Sequence, residues 1–126
     1  MQHDPRAHLA DVLDAAARID RFTEGVEFDG YTADDMRQSA VERQLEIIGE
    51  ALNRLRRDSP ELTERIADVP RIVGLRNVIA HGYDIVDHEA VWDAIRLDLP
   101  GLVAAVSALL AELDAAHADS DALPGP

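Results

Sequence analysis

The sequence predicts an all-α fold, an antiparallel bundle of about five helices. Three observations carry that prediction. Apolar residues recur at helical three- and four-residue spacings in several separate segments. Strand signals are scarce, since aromatic residues make up only 4 % of the chain and no convincing alternating run occurs. Capping residues and prolines stand where those helices should begin. A length of 126 residues suffices for one domain with a single modest core.

The first helix is expected over about Pro5 to Phe22, where Leu9, Val12, Leu13, Ala16 and Ile19 form one stripe. Thr23 to Tyr31 contains Gly25 and Gly30 and reads as a connection. A second helix should start at Thr32 as N-cap, with Asp34 and Asp35 in its positive first turn. Its apolar set includes Met36, Ala40, Ile48, Ala51 and Leu55 and widens between Leu45 and Leu52 beyond one stripe. A helix apolar over much of its circumference has two neighbours. One is the chain's own core; the other is either a second copy of the chain or a larger intramolecular contact. Gly49 suits a close approach there, which would offset the roughly 1 kcal/mol that a mid-helix glycine costs against alanine.

Ser59-Pro60 is an N-cap followed by a proline at the first helical position, opening a short helix with Leu62 and Ile66. Pro70 opens a segment in which Ile72, Val73, Leu75, Val78 and Ile79 are apolar, and Gly82 should stop it. Asp87 caps a further helix with Val91, Trp92 and Ile95. Asp98-Leu99-Pro100-Gly101 should break or restart it, after which Leu102, Val106, Leu109 and Leu113 form the last stripe. The folded domain is accordingly placed at residues 1–114, and the small, acidic, proline-ended tail 115–126 is expected to be disordered.

Composition narrows the chemistry. The absence of cysteine excludes a disulfide framework, a thiol nucleophile and a Cys-type zinc site. All twelve basic residues are arginine, which removes Schiff-base lysine chemistry and the lysine-dependent P-loop. No run of about 18 apolar residues is present, so no membrane span is expected. The N-terminal Met1-Gln2-His3-Asp4-Pro5-Arg6 lacks a signal peptide's apolar segment, which makes the cytoplasm the expected address. A formal net charge of −13 repels a polyanion at long range, so any nucleic-acid contact must be local or aided by a partner.

The stretch Arg76-Asn77-Val78-Ile79-Ala80-His81-Gly82-Tyr83 combines three abilities. An arginine fork holds phosphate oxygens in pairs. A histidine moves protons near neutral pH. A tyrosine hydroxyl can be modified. Metal-free RNA cleavage needs a base for the 2′-hydroxyl, an acid for the leaving oxygen and positive charge on the phosphate. Arg76 and His81 supply these types, with Asn77 as an orienting amide and Glu46 and Glu50, one turn apart, as supports for the arginine. Residues five apart on a straight helix differ by roughly 140° in direction. Convergence therefore needs either a helix end near His81 or two chains meeting about a two-fold axis. Each residue also has a plainer reading: Arg76 as an ion pair of Glu46 or Glu50, His81 as the complement of a helix C-terminus, Tyr83 as packing at the bundle edge.

Several blocks in order extend the pattern: Gln44-Leu45-Glu46-Ile47-Ile48-Gly49-Glu50-Ala51, Ile72 through Tyr83, Val91-Trp92-Asp93-Ala94-Ile95, and Asp98-Leu99-Pro100. Together with Arg18-Ile19-Asp20-Arg21-Phe22-Thr23-Glu24-Gly25, they resemble the HepT-like toxins of the HEPN superfamily over about residues 8 to 114. Val69-Pro70-Arg71 lacks the tryptophan that members often carry in a Pro-Trp-Arg run.

The resemblance implies an all-helical homodimer and a metal-independent endoribonuclease of a toxin–antitoxin pair, cutting RNA such as tRNA or mRNA. It implies that Arg76 and His81 are catalytic. It further implies that an MntA-like nucleotidyltransferase antitoxin neutralises the toxin by transferring AMP to Tyr83. ATP and magnesium would serve that partner; no cofactor is expected for this chain. The alternative is a catalytically silent helical dimer that only binds the nucleotidyltransferase.

Remaining polar residues are read more plainly. His3, His8, His88 and His117 lack convincing metal partners and read as surface histidines. Arg54-Leu55-Arg56-Arg57 is the one basic cluster; it either touches RNA or complements a helix C-terminus.

Overall fold

A computed structural model describes residues 4–67, 69–80 and 86–122, with side chains at 76–78, 80 and 120–122 outside the description. Helices are α1 (Pro5–Thr23), α2 (Phe28–Thr32), α3 (Asp35–Asp58), α4 (Pro60–Thr63), α5 (Val69–Ala80), α6 (His88–Asp93) and α7 (Leu99–Ala122). The turns between α6 and α7, Ala94–Asp98, are π-helical. No strand occurs among the described residues, so the all-α expectation holds.

The first helix starts as its sequence requires. Asp4 accepts a hydrogen bond from the Arg6 backbone N–H at 2.9 Å, and Pro5 occupies the first turn, where a missing N–H costs nothing. Leu9, Val12, Ala16 and Ile19 are buried, the stripe that periodicity gives. The chain leaves α1 through Gly25, whose φ of 71° lies in the left-handed region that favours glycine.

Beyond Gly25 the connection is more ordered than expected, because it contains α2. Of its two aromatic residues, Tyr31 is fully buried and anchors the turn, and Phe28 is partly buried against the core. The start of α3 is also corrected. Asp34, not Thr32, is the N-cap, accepting from the Arg37 N–H at 3.0 Å; the Thr32 hydroxyl ends α2 by donating to the Asp29 carbonyl. Asp34 wins because Arg37 also reaches its second oxygen at 2.8 Å and donates to the Phe22 carbonyl at 2.8 Å, tying α3 to the end of α1.

The broad apolar surface of α3 has an intramolecular explanation. One side packs on α1 and another on α5, with Val41, Ile48, Leu52 and Leu55 fully buried and Gly49 buried among them. Helix α4 stops at Thr63, so Ile66 reaches the core from the turn that follows it.

The second half differs most from expectation. Asp87 caps α6, accepting from the Ala90 N–H at 3.1 Å, as predicted. Pro100 then fails to break the helix. A proline removes one helical N–H and crowds the carbonyl four residues back. The wider π-helical turns immediately before Leu99 accommodate it, and the helix runs on. Helix α7 then continues through Ala122, where a disordered tail was expected from residue 115. By length and composition alone, His88–Asp119 is apolar enough to cross a bilayer. Leu99, Leu102, Val106 and Leu109 instead supply its buried side, and α7 packs on α1. Exposed alanines such as Ala104 and Ala108 contribute much of the remaining hydropathy.

Candidate functional site

Helix α5 carries the arginine of the motif. Val69, Ile72, Val73 and Ile79 are buried at helical spacing, and that stripe packs against α3. By the same periodicity, position 76 shares the register of Ile72, Val73 and Ile79. The described part of the helix ends at Ala80. His81, Gly82 and Tyr83 lie outside the described residues, as do the side chains of Arg76 and Asn77. The assignment of these residues therefore rests on sequence.

Glu46 and Glu50, the expected supports, sit on α3. Each engages an arginine of its own helix: Glu46 lies 3.5 Å from Arg43, and Glu50 lies 2.7 Å from Arg54. Both pairs are partly exposed, so they hold their carboxylates loosely.

The outer side of α5 borders an open cleft of about 360 Å³ facing α6 and the π-helical turns. Gly74 and Leu75 line it from α5, and Ala90 and Ala94 from the opposite side. A Cβ added at Gly74 would meet nothing within 4 Å. Arg71 and Asp98 close one part of the cleft with an ion pair at 3.5 Å.

Three polar residues on α2, α3 and α6 escaped the sequence reading. His88, the first residue of α6, reads as a surface histidine in the sequence, but its Nδ1 is buried and has no hydrogen-bond partner among the described residues. Its ring packs edge-on against Tyr31, with centroids 6.1 Å apart at 81°. The Tyr31 hydroxyl is likewise buried with no partner among the described residues, and burial pushes its pKa well above the usual phenol value. Burial also raises the pKa of Glu42; the charge of His88 opposes this and that of Glu46 adds to it. A signal for Glu42 was present: it stands one turn before Glu46 and two before Glu50 on α3. Tyr31 and His88 meet only through the tertiary packing of α2 on α6, which no local pattern reveals.

His8 is also corrected. It is buried in α1, and its Nε2 lies 3.0 Å from the Asp58 carboxylate at the end of α3. It closes the bundle rather than facing solvent.

Comparison with known proteins meets this architecture. Residues 12–109 match the family model described as "Ribonuclease HepT-like". A protein of Methanocaldococcus jannaschii named "Putative RNase" is 34 % identical over 101 residues, covering 79 % of this chain and 90 % of the relative. One from Thermococcus cleftensis, named "Probable ribonuclease HepT", is 32 % identical over 106 residues, covering 81 % and 92 %. A third relative, from Caldanaerobacter subterraneus subsp. tengcongensis, is 31 % identical over 108 residues, covering 84 % and 94 %. No solved structure matches the chain significantly. The matched span runs from α1 into α7 and includes the whole arginine–histidine–tyrosine segment, and on these grounds the chain belongs to the HepT-like ribonuclease family.

Proposed function

We propose that this chain is the toxin of a toxin–antitoxin pair and cleaves RNA without a metal ion. Arg76 holds the scissile phosphate and stabilises the charge that develops on it. His81 transfers the proton, drawing it from the 2′-hydroxyl as a base or giving it to the leaving oxygen as an acid. The 2′-oxygen forms a new bond to phosphorus while the bond to the 5′-oxygen breaks, leaving a 2′,3′-cyclic phosphate. One observation carries the reading: the arginine, histidine and tyrosine occur in register within a family match that spans α1 to α7.

Two copies of the chain give the reaction both an acid and a base. Support for a homodimer comes from the outer side of α5, where Gly74 leaves room for a close approach beside Leu75, Ala90 and Ala94. Neutralisation is assigned to a nucleotidyltransferase antitoxin that moves AMP from ATP to Tyr83. The adduct puts bulk and negative charge where substrate phosphate belongs.

The test is cleavage of single-stranded RNA in the presence of a metal chelator. Arg76→Ala and His81→Ala should each lower the rate by about 100-fold or more. Equal rates in wild type and both variants would reject the assignment. A second reading, a silent dimer that only engages the antitoxin, is favoured by the net charge of −13. That reading gains if wild-type protein accepts AMP on Tyr83 yet cuts no RNA.

A further inference from the structure

The acidic chain uses up most of its cations. Most described arginines pair with a carboxylate, from Arg6 with Asp4 at 2.6 Å to Arg65 with Glu112 at 2.6 Å. Arg96 lies over the Trp92 ring at 5.3 Å. Among the described residues, only Arg21, Arg56 and Arg57 keep a guanidinium with neither a carboxylate nor an aromatic partner. Arg21 stands alone and lines a cleft that also holds Asp34. Arg56 and Arg57 are adjacent, exposed and at the end of α3. Asn53 accepts from Arg56 at 2.7 Å, which fixes one side of that fork and leaves its other donors available.

Arg56 also lines a cleft of about 240 Å³ whose far side includes Ile66, Val69 and Pro70, the start of α5. The same helix carries Arg76 a little under two turns further on. From Pro70 to Ala80 the helix rises ~15 Å, the reach of a few nucleotides of single-stranded RNA. Glu64 lines the cleft as well and opposes an anion there.

We infer that Arg56 and Arg57 bind a phosphate of the RNA strand flanking the scissile bond. They supply the local cationic contact that a polyanion needs on a chain of net charge −13. The inference rests on the ribonuclease reading for its substrate class, but binding can be measured without cleavage.

The experiment uses the full-length protein and a fluorescent single-stranded 2′-O-methyl RNA, which lacks the attacking hydroxyl. Anisotropy is followed across a salt series. Arg56→Ala combined with Arg57→Ala should weaken binding by about ten-fold and flatten the dependence of log K on log salt by roughly 1 to 1.5. Arg56→Lys with Arg57→Lys should restore most of the binding, and Glu64→Gln should strengthen it. Arg18→Glu changes net charge by the same two units at a paired site on α1 and should shift affinity less than two-fold. Circular dichroism melts confirm that the variants fold. The inference is overturned if the double alanine variant binds like wild type, if Arg18→Glu weakens binding as much, or if wild type does not bind the strand. If binding depends on Arg56 and Arg57 but cleavable RNA of the same sequence stays intact, the ribonuclease reading fails and this surface assignment stands.

Discussion

Glu42 shows what a single half-buried carboxyl does to this fold. Burial holds its folded-state pKa above the ordinary glutamate range, so the charged form is the strained one. Its contribution to stability is full at acid pH, below the unfolded value, and is lost as pH rises through the raised folded value. Glu42→Gln should therefore gain stability over wild type at neutral pH and lose that advantage near pH 4, read by urea unfolding at both. Asp34 makes an opposite case, because its oxygens hold the α3 N-terminus and Arg37 together. Replacing it with alanine should cost about 1 kcal/mol in the same assay. Tyr83→Phe removes only the acceptor oxygen, so RNA cleavage should persist while intact mass shows no AMP adduct after incubation with the antitoxin, ATP and magnesium. At this scale the sequence spoke clearly where chemistry is local. Asp87 could be named as a cap because a cap is read three residues at a time, whereas Thr32 lost that place to Asp34 two residues on. Tyr31 and His88 could not, since their contact joins residues 57 positions apart.

At the scale of elements, α3 is the central one. Its main neighbours are α1 and α5. Leu52 on α3 is fully buried, so Leu52→Ala should cost about 2–5 kcal/mol and lower the melting temperature accordingly. The sequence correctly reported that α3 has two neighbours, from its width of apolar surface. It did not say which two, and α5 fills the place offered to a second chain. Pro100 misled for a physical reason: its backbone penalty is local, but relief comes from the π-helical turns before it. The start of α7 follows from that compensation, which has no residue signature of its own. The same holds for the end of α7, where alanines and aspartates suit both a helix and a solvated tail.

At the scale of the whole molecule, self-association is the property with most riding on it. Gly74 separates the alternatives. In an isolated chain, Gly74→Ala meets open space and should stabilise α5 by up to about 1 kcal/mol. If two copies close over that cleft, Gly74→Leu should instead shift the sedimenting species towards the monomer mass of 13.8 kDa and slow RNA cleavage. Class and family were legible from start to finish, because periodicity and the motif blocks extend over most of the chain. The proposed chemistry rests on residue types, Arg76, His81 and Tyr83, and on the family blocks around them, because their spacing alone is a weak pattern. The environments of Glu42 and His88 and the cleft beside Gly74 were not legible, since they exist only once distant helices pack.

The stretch linking α5 to α6 is short, with Ala80 at one end and the capped Asp87 at the other. Tyr83 is three residues past Ala80, so at most about 11 Å of chain separates them. A nucleotide fastened there is on a tether too brief to let it wander off. On the proposed reading, dilution would not wash such a blocker away, and only cutting the phosphate link or degrading the protein would release the inhibition.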